Sequence, residues 1–238
     1  YGILYLSQYL PMDAQAGGKS VAPYKYGAPE SYVGVTYKKG ALVAKLGVDN
    51  IFTKPFRTVT ETTGTYKANG YLDAVTAFAF VQYSKDLLSI RAKTTLAQSG
   101  EHMNILSGYG VSGYDASTRT YTYTPMMDWA SFVTAQYGKK VQVMGMLGYM
   151  KQLGTTKDLN GAGLWLNTAA ATNIQQAVRV TPTVVWNFGK FQTGLEYDYT
   201  VAEFGNAGET RGVRGLYDSG KTHWVGNHRL LWLTKFNF

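Results

Sequence analysis

The chain has 238 residues, with 23 lysines and arginines against 15 aspartates and glutamates, and no cysteine. Without thiols it has no disulfide framework, thiolate zinc site or cysteine nucleophile. Charged residues make up only 16%, below the roughly one quarter of an ordinary soluble domain.

The net charge of +8 comes from scattered residues and turn pairs, not from a basic run. Nucleic-acid binding would call for a basic patch with aromatic platforms, so it is not expected. No stretch of about 18 apolar residues is present, so no transmembrane helix is available. The chain opens Tyr-Gly-Ile-Leu-Tyr, without an initiator methionine or a signal peptide. A removed signal or a longer parent protein is the expectation.

The first predicted element alternates at once, with Tyr1, Ile3, Tyr5 and Ser7 against Gly2, Leu4, Leu6 and Gln8. Beyond a long connection over 10–30, a repeat sets in. Tyr37, Tyr83, Tyr137 and Phe188 each precede a short lysine-bearing turn, and the chain ends on Phe238. The spacings are 46, 54, 51 and 50 residues. A polar residue stands before every mark: Thr36, Gln82, Gln136, Asn187 and Asn237. Such a period and phase define a repeating hairpin unit.

Stepping back by two from each mark gives one face of a strand. From Tyr83 these residues are Val81, Ala79, Ala77 and Val75, and from Phe188 they are Trp186, Val184, Pro182, Val180 and Val178. The strands after the turns alternate likewise. Leu42, Ala44, Leu46 and Val48 oppose Lys45, and Leu88, Ile90, Ala92 and Thr94 oppose Ser89, Arg91, Lys93 and Thr95. Val141, Val143, Leu147 and Tyr149 oppose Gln142, Met144 and Met146. Phe191, Thr193, Leu195, Tyr197, Tyr199 and Val201 oppose Gln192, Gly194, Glu196, Asp198 and Thr200. Ten strands result.

Their connections alternate between short turns and long, structureless Gly/Ser/Thr/Asn/Asp-rich loops over 10–30, 49–70, 98–125, 152–173 and 205–226. Loops that long are uncommon in compact soluble domains.

An apolar face on an antiparallel meander must be covered, by a soluble barrel's interior or by lipid. Three features favour lipid. Aromatics sit at strand ends beside the short turns, where an interface girdle belongs. Charges stand in mid-strand on the polar face. Loop lengths are asymmetric. The predicted fold is therefore all-β, a transmembrane antiparallel up-and-down barrel, with residues 1–238 as one barrel domain.

The last strand, His228-Arg-Leu-Leu-Trp-Leu-Thr-Lys-Phe-Asn-Phe238, resembles the C-terminal targeting strand of Gram-negative outer-membrane proteins. That resemblance implies reading by the barrel-assembly machinery, with Phe236 and Phe238 as girdle and targeting residues. The segments Val178–Phe191 and Thr193–Tyr199 resemble the last hairpin of DcaP-like trimeric porins, and Gly145–Gly154 an earlier one. This second resemblance implies a barrel of about sixteen strands, a homotrimer in the lipid bilayer, and passage of small anionic solutes. With ten strands visible, the expectation is a C-terminal part of a larger barrel, incomplete at the N terminus. A complete ten-stranded barrel is the rival, with a narrower interior.

The expected function is passive diffusion, without catalysis, cofactor or metal. Short turns and C terminus would be periplasmic, and long loops extracellular. Pore-lining candidates are Lys45, Arg91, Lys93, Arg179, Gln192, Glu196, Asp198, Arg229 and Lys235, with Tyr37, Tyr83, Tyr137 and Phe188 in the girdle. The lining cations predict mild anion preference. Glu196 and Asp198, on the strand between those of Arg179 and Arg229, fit either a transverse field or plain interstrand pairing.

The loop 98–125, with Glu101, His102, Asp115 and Arg119, is the candidate constriction. Two alternatives stand: a narrow ten-stranded outer-membrane enzyme with a catalytic rim (His223 near Asp218, His102 beside Glu101), and a soluble ligand-binding barrel. No GxSxG, HExxH or Walker-type motif is present.

Overall fold

The structure is a computed structural model that describes residues 2–4, 28–100, 105–106, 108–160, 164–166 and 173–237. Tyr1, Tyr5, Ser7, Glu101, His102 and Phe238 lie outside the described residues. Fourteen strands and no helix are present among those that are described.

In chain order the strands are β1 (Gly2–Leu4), β2 (Glu30–Lys39), β3 (Leu42–Thr53), β4 (Thr58–Glu61), β5 (Gly64–Lys67), β6 (Leu72–Lys85), β7 (Leu88–Gln98), β8 (Gly108–Asp115), β9 (Thr120–Gly138), β10 (Val141–Thr155), β11 (Leu164–Leu166), β12 (Ile174–Phe188), β13 (Phe191–Gly205) and β14 (Thr222–Phe236). Ten of them form one antiparallel sheet in the order β1-β2-β3-β6-β7-β9-β10-β12-β13-β14. It is open: among the described residues nothing pairs β1 with β14. From β2 onward its strands run 10–19 residues, at or above the roughly 9–11 needed to cross a bilayer.

Two-residue turns join β2 to β3, β6 to β7, β9 to β10 and β12 to β13. A tight antiparallel turn whose twist matches its strands needs positive φ. Gly40 and Gly189 supply it at +54° and +61°. Asp86 adopts +52° without being glycine, which a short polar side chain tolerates best. Each turn lies beside its aromatic mark, so the strand-end position of Tyr37, Tyr83, Tyr137 and Phe188 follows from turn chemistry.

The long connections run 54–71, 99–119, 156–173 and 206–221, but they are not all structureless. The first holds the β4–β5 hairpin, the second holds β8, which pairs with the early part of β9, and the third holds β11, which pairs with β8. Their short strands escaped the sequence reading because they lack the hairpin period.

A buried apolar cluster sits at this end of the sheet. Ile51 and Leu72 pack with Tyr109, Val111 and Tyr123, and Phe56 and Tyr121 lean on the group. Ile51 and Leu72 share the side of Lys45 by alternation, so the β8–β9 hairpin folds over that side.

Replacing Gly189 by valine forces a β-branched residue into the left-handed region. The expected loss is about 1–2 kcal/mol, read as a lower urea midpoint in refolding into micelles. Gly145→Val, where an added Cβ meets open space, is expected to change little.

Candidate functional site

Period-two alternation and the interstrand register assign every side chain to one of two faces. On one face the register lines up Val35, Leu46, Ala79, Thr94, Ser131, Tyr149 and Val178. On the other it lines up Thr36, Lys45, Phe80, Lys93, Phe132, Gly148, Arg179, Thr200 and Asn227. The first is the apolar face and the second the polar face.

Exposure runs opposite to that of a soluble protein. Large apolar side chains stand open: Val35 at 69%, Leu46 at 64%, Leu230 at 72% and Trp232 at 74%. Threonines of the polar face are covered: Thr76 at 1%, Thr95 at 3% and Thr183 at 5%. Tyr37, Tyr83, Tyr137, Phe188 and Phe236 are exposed on the apolar face at the short-turn end.

A second aromatic group stands on that face at the other end, where Trp129 meets Tyr149 edge-on at 5.5 Å and Trp224 is exposed. From Tyr137 to Trp129 is about 26 Å along the strand at a rise of roughly 3.3 Å per residue.

The polar face carries the charged candidates, in two different states. On β12, β13 and β14 they are paired. Asp198 accepts from Arg179 and from Arg229 at 3.0 Å, and Arg229 also reaches Glu196 at 3.8 Å. Thr200 donates to Asp198 at 2.9 Å and Thr183 to Glu196 at 3.3 Å. The interstrand arrangement is thus an ion cluster along one wall. The Asp198 side chain is 8% exposed.

On β3 and β7, Lys45, Arg91 and Lys93 make no ion pair among the described residues, and the Lys93 ammonium stands over the Phe78 ring, 4.9 Å from its centroid. Lys235 lies opposite Gln192 near a short turn, and Gln192 donates to Asn187 at 2.6 Å.

The long-connection end is bound down by two segments. Arg119 of the β8–β9 turn grips Glu61 with two hydrogen bonds, at 3.1 and 3.2 Å. Its guanidinium holds the Glu61 carboxyl below the usual carboxylate range. Asp115 is likewise held low, by hydrogen bonds from Ser117 and Thr118.

The segment 206–221 lies over the ends of β10 and β12. Arg211 donates to Gln152 at 3.0 Å, to the Gly215 carbonyl at 2.8 Å and to the Ile174 carbonyl at 3.1 Å. It stacks on Tyr217 at 4.5 Å, and burial lowers its affinity for the proton. Arg214 donates to the Thr155 and Thr156 carbonyls at 2.9 and 2.6 Å and pairs with Asp158 at 2.6 Å. Gln152 is fully buried on the polar face, so Arg211 enters from above that face.

Arg211 and Arg214 were not singled out in the sequence. The signal available was Arg211-Gly-Val-Arg214-Gly, two arginines three apart in a glycine-rich loop.

His223 faces Asn206 at 2.9 Å and Asp218 pairs with Lys221 at 3.2 Å, so the structure does not join His223 to Asp218. His228 meets the Tyr197 hydroxyl at 2.5 Å. Among the described residues no three His, Asp or Glu side chains group as metal ligands do. No helix is long and apolar enough to cross a membrane, which says nothing of crossing by strands. No family model, curated protein or solved structure matches this chain.

Glu61 is stabilised as a carboxylate in the folded state, so its contribution is present above the ordinary carboxylate pKa. It is lost as pH falls through the depressed value. Amide exchange of β4 and β5 is expected to accelerate on acidification across that window in the native protein, and to be insensitive to pH, apart from intrinsic exchange, in Glu61→Gln.

Proposed function

We propose that this chain forms the wall of a transmembrane β-barrel in a bacterial outer membrane and serves as a passive diffusion channel for small hydrophilic anions. One observation carries the reading: large side chains of the apolar face are exposed while polar-face residues such as Thr76, Thr95, Thr183 and Asp198 are buried. More than twenty large apolar side chains stand on the open face. Leaving that many half-exposed in water would cost on the order of 20 kcal/mol, more than the roughly 5–15 kcal/mol by which a domain is stable. Monomeric soluble proteins rarely expose so large a contiguous apolar patch. Lipid removes that cost.

Two aromatic groups flank the apolar zone, and their separation of about 26 Å along the strand projects to about 20 Å at a tilt of about 40°, somewhat less than the roughly 25 Å apolar band of such barrels. Backbone groups in lipid must all be paired, so β14 and the β1–β2 edge must find partner strands. The resemblance to trimeric porins points to a wider barrel in three copies. Short turns would face the periplasm. The long connections, which hold Glu61–Arg119 and Arg211, would face outward and narrow the entrance.

Selectivity follows from the two charge states of the wall. The Arg179–Asp198–Arg229–Glu196 cluster is internally neutral, so it contributes little net field. Lys45, Arg91 and Lys93 leave three positive charges without acidic partners, and fixed positive charge in a narrow aqueous space favours anions.

The test is conductance of the refolded protein in a planar bilayer, with reversal potential in a potassium chloride gradient near 0.1 M, where screening reaches about 10 Å. Discrete steps and a chloride-favouring potential are expected. The Lys45→Gln, Arg91→Gln, Lys93→Gln triple variant is expected to keep the steps and lose most of the preference. No conductance, or a potassium preference in the native protein, would overturn the reading.

A further inference from the structure

Apolar side chains interrupt the polar face where a water-filled wall has no need of them. Phe78 and Phe80 on β6, Phe132 on β9, and Met144, Met146 and Met150 on β10 all share the parity of Lys45 and Lys93. Phe132 is 37% exposed, so no core claims it.

A hollow of about 420 Å³ opens here, lined by Phe132, Met146, Met150, Gly148, Lys93 and Arg179 among others. Gly148 keeps its floor open: an added Cβ would meet only the Met146 methyl at 3.8 Å and the Arg179 carbonyl at 4.0 Å. Ile105 also lines it.

Chemistry divides the hollow. Phe132 offers a flat ring, and the methionines offer soft, adaptable walls that suit varied apolar shapes. Directly opposite Phe132 in the register stands Lys93, and facing side chains in such a pair lie about 5 Å apart at Cβ. Arg179 borders the far side, but Asp198 already holds its guanidinium. Lys93 therefore remains as the cation for an incoming anion, since it makes no ion pair among the described residues.

We infer that this hollow is a binding site for amphipathic organic anions, with a carboxylate at Lys93 and an aromatic or branched apolar body against Phe132, Met146 and Met150. The inference rests on the channel reading for its biological sense and deepens it, from small anions in general to anions with an apolar body. The geometry of the hollow stands apart from whether the sheet conducts.

The test uses three probes on the refolded full chain in micelles, by isothermal titration against protein-free micelles. Phenylacetate carries both features, acetate the charge alone, and phenethylammonium the ring with the opposite charge. Phenylacetate is expected to bind at least about tenfold more tightly than either, a factor worth roughly 1.4 kcal/mol. Phe132→Thr is expected to bring phenylacetate close to acetate. Lys93→Gln is expected to weaken phenylacetate without weakening phenethylammonium. Gly148→Val, which fills the floor, is expected to abolish the difference.

Retained strand circular dichroism and retained heat-modifiable mobility on gels show that a variant has folded. Equal binding of phenylacetate and acetate by the native protein would overturn the inference. So would an unchanged phenylacetate affinity in folded Phe132→Thr and folded Gly148→Val. Conductance without selective binding sinks the site and leaves the channel; selective binding without conductance sinks the channel and leaves the site.

Discussion

Everything in this molecule depends on the register of one antiparallel sheet. Side chains alternate with a period of two, so a slip of one residue would send every apolar side chain to the opposite face. Two-residue turns prevent that slip. Gly40 and Gly189, both at positive φ, set where β2 meets β3 and where β12 meets β13. From there the ladder carries the same phase across nine strands. Leu46 and Ala79, or Lys93 and Phe132, thus share a face with their partner across the ladder, though far apart in sequence.

The register creates two surfaces with opposite needs. One is apolar and open, and lipid would satisfy it. The other is polar and only partly covered, and its charges are not equivalent. Burial at Asp198 is compensated by two arginines, which fits the general need of a covered charge for partners. Lys45, Arg91 and Lys93 stand without acidic partners, and the aromatic and methionine side chains lie beside them. Field and apolar contact are therefore concentrated on the same stretch of wall, β3 to β10. The β8–β9 hairpin and the segment around Arg211 lie over the long-connection end and bound this stretch from one side.

Most of the sheet was legible in the chain because its signals are local and repeated. The aromatic marks, the short turns and the alternation of Phe191–Val201 need no distant partner to be recognised. The strand count of the main sheet and the interleaving of Arg179, Asp198 and Arg229 followed from that. What stayed hidden depends on contacts between distant segments. β8 and β11 are short, and tertiary pairing defines them. Arg211 reaches Gln152 across 59 positions, which no spacing announces. The hollow at Phe132 was also missed, although Met144 and Met146 were assigned to the polar face, because its floor exists only once β9, β10 and β12 lie side by side.

The central claim is that the apolar face meets lipid and the polar face meets water. The absence of native cysteine allows a clean measurement. Single cysteines placed in turn at 89–95 along β7, each carrying a small fluorophore, would be read in vesicles with spin-labelled lipid and with aqueous iodide. Lipid is expected to quench positions 90, 92 and 94, and iodide positions 89, 91 and 93, with a period of two, while position 95, at buried Thr95, is shielded from iodide. Uniform iodide quenching at all seven positions, or lipid quenching at 91 and 93, would contradict the account.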